Sequence, residues 1–94
     1  MLEDILRDTP VYQEVLEEGA QKGRQEGMIE AQRQILFDIV FDRFPEIIHL
    51  ARQQAHAVHD TEILRRLAVK MSTVQNAEEA EEYLLTVAGD TLKN

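Results

Sequence analysis

The sequence predicts an all-α protein: one long N-terminal helix carrying a row of glycines, then a C-terminal lobe of three short helices. Three observations predict it. Apolar residues recur at intervals of three and four along most of the 94 residues, and no segment alternates with the period of two that marks a half-buried strand. The two prolines stand at positions 10 and 45, so nothing breaks the backbone ladder between Pro10 and Arg43. Asp60 and Asn76, residues of N-cap type, each stand just before an apolar stretch of helical spacing.

Leu2, Ile5 and Leu6 form a short apolar stripe at helical spacing that ends near Asp8 and Thr9. Thr9 suits an N-cap, and Pro10 suits the first helical position, where its missing N–H is no loss. Glu14, Glu17 and Glu18 follow early, where the positive end of the helix dipole favours them, and Glu18 pairs with Lys22 one turn on. The spacing predicts one helix from Pro10 to Arg43. Phe44-Pro45 interrupts it, because proline restricts its predecessor.

Beyond that break, Ile47, Ile48, Leu50, Ala51, Ala55 and Val58 give Glu46 to Val58 the broad apolar face of a short buried helix. Asp60 caps the next helix, in which Ile63, Leu64, Leu67, Ala68 and Met71 recur at three and four. Asn76 with Glu79 three residues later forms a capping-box start for the last one, whose apolar face is Ala80, Tyr83, Leu84 and Val87. Gly89 is the expected stop. The organisation expected is residues 1–34 as a short helix and an extended pairing helix, 35–88 as a small helical lobe, and 89–94 as a frayed tail. The lobe is expected to fold over the end of the long helix that carries Ile35, Leu36, Phe37, Ile39, Val40, Phe41 and Phe44.

Composition excludes several function classes. The formal net charge is −8, with ten basic residues scattered among eighteen acidic ones, the wrong footprint for binding phosphate backbones or anionic lipid surfaces. Cysteine is absent, which removes disulfides, thiolate zinc sites and thiol nucleophiles. No apolar run reaches the ~18 residues of a membrane span, and MLEDILRD is too acidic for a signal peptide, so a cytoplasmic protein is expected.

The most specific feature is EEGAQKGRQEGMIEA, where Gly19, Gly23 and Gly27 stand four apart inside the long helix. Val11, Val15, Gly19, Gly23, Gly27, Ala31 and Ile35 form a row, continued by Ile39, that is small or apolar at every step. Each interior glycine costs a helix about 0.8–1.0 kcal/mol relative to alanine. Close approach of another helix is the compensation such a row allows. A rod of about 34 residues is roughly 50 Å long, whereas a compact chain of this length has a radius of gyration near 12 Å, so the rest of the chain cannot cover it. Another copy of the chain is the simplest cover, and a dimer the simplest assembly. A solvated linker and a groove for one of the chain's own short helices are the competing readings. An adaptor helix for a different protein is the alternative function.

The stretches LEDILRDTPVYQEVLEEG and GRQEGMIEAQRQILFDIVFDRF, followed by TEILRRLAVKM and NAEEAEEYLL, resemble the C-terminal region of bacterial Rpn-type proteins, the recombination-promoting nuclease or putative transposase family. The resemblance covers nearly the whole chain. It implies an accessory helical tail that follows a PD-(D/E)XK nuclease domain. The nuclease itself has no counterpart here: two residues before the three lysines stand Ala20, Ala68 and Thr91, so no (D/E)-x-K pair exists to hold Mg²⁺. The glycine-bearing helix is also similar to that of flagellar assembly protein H, whose glycine-repeat helix pairs in a dimer.

Other constellations carry less. His49, His56 and His59 share a helical spacing, but without cysteine they read as surface or half-buried histidines rather than as a metal site. Glu78, Glu79, Glu81 and Glu82 read as a solvated face, and Arg65, Arg66 and Lys70 as partners for acidic side chains. Ser72 has no His–carboxylate pattern beside it, and the glycines lack the strand and Lys-Ser/Thr of a phosphate loop. The expectation is a protein that is not an enzyme, with no catalytic, cofactor or metal residues.

Overall fold

The computed structural model describes residues 10–93, and the side chains of residues 10–87. The stripe Leu2, Ile5, Leu6 and the proposed cap Thr9 lie outside the described residues. The chain is all-α. Helix α1 spans Pro10–Arg43, 34 residues without a break. A 3-10 turn, Pro45–Ile47, leads into α2, Ile48–His56. Helix α3 spans Thr61–Thr73 and α4 spans Ala77–Lys93.

Local chemistry explains the end of α1 and the starts of α3 and α4. Phe44 leaves the helical region (φ −138°, ψ 65°) ahead of Pro45, which opens the 3-10 turn. Asp60 is extended and its Oδ1 accepts from the N–H groups of Glu62 (2.8 Å) and Ile63 (3.4 Å), so two of the helix's orphan donors are satisfied. Asn76 Oδ1 accepts from the Glu79 N–H at 2.8 Å, while the Glu79 carboxylate reaches back to the Gln75 N–H at 3.4 Å. The reciprocal cap thus closes on the residue before Asn76. Gly89 is not a stop: α4 runs through it to Lys93, and no described glycine has a positive φ. A glycine ends a helix by turning left-handed, and Asp90, Thr91 and Leu92 after it neither require that turn nor bring a proline.

The core lies where α2, α3 and α4 pack on the C-terminal half of α1. Leu36 and Val40 of α1, Ala51 and Ala55 of α2, Leu64, Leu67 and Met71 of α3, and Ala80 and Leu84 of α4 are fully buried together. Helix α3 has the longest contact with α1, and α4 packs mainly on α2. Phe44 is buried and Phe37 half-buried, as expected of the helix end beneath the lobe. Phe41 is not: it is 65% exposed, and Ile35 is 48% exposed. Both sit on turns of α1 that point away from α3, because the lobe covers one side of the helix only.

One buried charge organises the lobe. Arg33, only 7% exposed, reaches from α1 to the C-terminal end of α2. Its Nε donates to Ala55 O at 3.1 Å and its Nη2 to Val58 O at 2.9 Å, with His56 O at 3.5 Å. Nη1 meets the Glu30 carboxylate at 2.6 Å. The guanidinium fork therefore binds carbonyls at the negative end of the helix dipole, with Ala55 O also accepting from the Val58 N–H at 3.1 Å. Arg43 does the same for α3 through Met71 O at 2.5 Å. Among the described residues no buried side-chain nitrogen or oxygen lacks a hydrogen-bond partner.

Candidate functional site

The N-terminal half of α1 projects beyond the lobe. The molecule measures 61 × 29 × 18 Å with a radius of gyration of 18.5 Å, against about 12 Å for a compact chain of this length. From Glu14 to Met28 every residue is exposed, including Val15 (59%), Leu16 (50%) and Met28 (60%).

The helix passes through Gly19, Gly23 and Gly27 unbroken. A methyl group built at any of the three would meet nothing within 4 Å among the described residues outside the helix's own backbone. None of the short helices among the described residues lies in this groove. Val11 (68% exposed), Val15, Ala31 and Ile35, the other members of the row, are exposed as well.

Helix geometry narrows the row. A step of four leaves 40° of drift, so the six steps from Val11 to Ile35 turn through about 240° around the axis. One straight partner helix can seat on the centre of that ridge, not on both ends. The line running straight along the helix through Gly23 alternates steps of three and four. It contains Tyr12, Leu16, Gly19, Gly23, Gly27, Glu30, Gln34, Phe37 and Phe41, all within about 40° of one another's mean direction. The core-facing side chains Ile29, Arg33, Leu36, Val40 and Phe44 lie about 100° away from this line. Along this line Tyr12 and Phe37 are half-buried and the other seven residues exposed. Sequence reasoning followed the four-step ridge and missed Leu16, Phe37 and Phe41 as parts of one face. The signal was present in the alternation of three and four.

At its C-terminal end the line borders a shallow depression formed by Gln34, Phe37, Asp38, Phe41, Ile48 and Arg52. The Arg52 guanidinium stands 5.9 Å from the Phe37 ring centre, and the His56 ring 6.2 Å from it at 55°. Asp38 accepts from Gln34 Nε2 at 2.9 Å. The depression is therefore apolar in its floor and charged at its rim.

A second group of charges lies on the surface of α3. Glu62 binds Arg65 at 2.6 Å and approaches Arg66 at 3.6 Å, all on α3. The hydrogen bond from Arg65 holds the Glu62 carboxyl below the usual value for glutamate, with the Arg65 and Arg66 charges adding to it, and the same bond raises Arg65. Lys70 lies over the Tyr83 ring at 5.3 Å, linking α3 to α4. His49, His56 and His59 are exposed, and among the described residues no three His, Asp or Glu side chains are placed to hold a metal ion. No helix among the described residues is long and apolar enough to cross a membrane.

No family model matches the chain, and no curated protein or solved structure matches it.

Proposed function

We propose that this chain is a non-enzymatic oligomerisation module in which α1 pairs with α1 of a second copy, the facing helix packing closely against the backbone at Gly19, Gly23 and Gly27. The observation that carries the reading is three glycines in register on an unbroken helix, with no neighbour among the described residues outside that helix. Placed on a solvated helix they cost about 3 kcal/mol relative to alanine with nothing in return. A facing helix supplies the return through dispersion contacts that a Cβ would hold apart. The module works in the cytoplasm without cofactor or nucleic-acid contact of its own. As the tail of a nuclease- or transposase-like protein it would hold two catalytic domains together.

Gly23→Leu tests the proposal. No described residue outside the helix's own backbone lies within 4 Å of a methyl group built there, and leucine favours helix, so the variant keeps its fold. Sedimentation is expected to show a wild-type dimer at tens of micromolar, a range set by an association free energy of about 6 kcal/mol. The variant is expected to sediment as a monomer with unchanged helical circular dichroism. A wild-type monomer at that concentration, or a variant of unchanged mass, refutes it.

A further inference from the structure

The straight line of α1 carries more information than the glycines alone, and it bears on orientation. Resting on the pairing proposed above, we infer that the two copies of α1 lie antiparallel, with Tyr12 of one copy opposite the partner's Phe41 and Leu16 opposite the partner's Phe37. In this register the two helices overlap from Pro10 to Arg43 with no overhang.

Three features favour it over a parallel pair. The first is charge. A parallel pair sets Glu30, whose side chain is 66% exposed, against the partner's Glu30, and like charges directly opposite repel. The antiparallel register sets Glu30 against the partner's Gly23, with the partner's Lys22 and Arg24 on either side of that glycine.

The second is shape. In a parallel pair glycine meets glycine in three layers, while Tyr12, Leu16, Phe37 and Phe41 each meet their own copy, so the helices touch in the middle and are held apart at both ends. Antiparallel packing sets Gln34 over the partner's Gly19 and Glu30 over the partner's Gly23. The large apolar side chains pair at both ends, so layer thickness evens out and the contact runs the length of the helix.

The third is coverage. The projecting half of each α1, with Leu16 half-exposed, lies over the partner's Phe37, Phe41 and Ile48, the partly exposed apolar floor beside its lobe. Parallel packing leaves the two projecting halves with only each other. A strip about 50 Å long and about 10 Å wide buries roughly 1,000 Å² in total over two copies, which reaches the size a specific interface needs.

The absence of cysteine makes the test direct. Gly19→Cys and Gln34→Cys each alter one exposed position. In the antiparallel register a thiol introduced at position 34 faces one introduced at position 19 of the other copy. Two copies of Gln34→Cys instead hold their thiols about 22 Å apart along the axis, beyond disulfide reach. An oxidised mixture of the two variants is expected to form the mixed disulfide, and each variant alone is expected to form none. A disulfide from Gln34→Cys alone means parallel pairing and overturns the orientation. So does a dimer by sedimentation that cross-links in neither experiment. A monomer by sedimentation instead overturns the pairing on which the orientation rests.

Discussion

Replacing Arg33 with methionine should remove a large part of the stability of the lobe. Arg33 is 7% exposed and joins α1 to the end of α2 through Ala55 O at 3.1 Å and Val58 O at 2.9 Å. Methionine keeps most of the side chain's apolar bulk but removes both donors. A hydrogen bond from a charged group contributes about 1.5–3 kcal/mol, so losing two amounts to roughly 3–6 kcal/mol. A domain of this length is stable by about 5–10 kcal/mol, so the loss is a large fraction of the whole. The Glu30 partner contributes little of this, because its side chain is 66% exposed and a surface ion pair gives less than about 1 kcal/mol. Urea unfolding of wild type, Arg33→Met and Glu30→Gln measures all three. The expected pattern is a much lower midpoint for Arg33→Met at an unchanged slope, and a small shift for Glu30→Gln. If Arg33→Met lies within about 0.5 kcal/mol of wild type, the guanidinium does not anchor α2 and the reasoning fails.

Further outcomes follow from the same contacts. Asp60→Ala removes the acceptor for Glu62 and Ile63 N–H and should cost about 1 kcal/mol in thermal or urea unfolding, with Asp60→Asn close to wild type. Replacing Gly19, Gly23 and Gly27 together with alanine should raise the helicity and stability of monomer at high dilution by roughly 3 kcal/mol while weakening assembly; equal effects on both would contradict the pairing face. The Glu62 carboxyl is held low in the folded chain, so its ion pair contributes above the unfolded glutamate value and is lost as pH falls through the folded one. Carboxyl NMR titration should place Glu62 below free glutamate, and Arg65→Gln should move it up; no movement would mean the 2.6 Å contact is not formed in solution.

Much of this architecture is written in local chemistry. Phe44-Pro45 ends α1, and the caps at Asp60 and Asn76 start α3 and α4, because each acts within a few residues of itself. What depends on packing was not legible. Arg33 sits in a helix rich in charged residues, and nothing adjacent to it announces a partner more than twenty positions away in α2. Phe41 is as apolar as Phe44, yet the lobe covers only one side of α1 and leaves Phe41 outside. Gly89 has the composition of a helix stop but remains helical, since glycine permits the left-handed turn without enforcing it. The exposed face of α1 was half legible: the glycine spacing stands out, whereas the line that joins Leu16 to Phe41, though present in the alternation of three and four, is singled out only by the exposure of both.

The central claim is that a second copy covers the glycine face of α1. The most direct measurement is an isotope-filtered NOE experiment on a mixture of labelled and unlabelled chain, observing the Hα protons of Gly19, Gly23 and Gly27. The account predicts intermolecular NOEs from these protons to side chains of the facing α1, Gln34 among them. A sample dimeric by sedimentation that shows no intermolecular NOE at any of the three glycines would place the interface elsewhere and contradict the account.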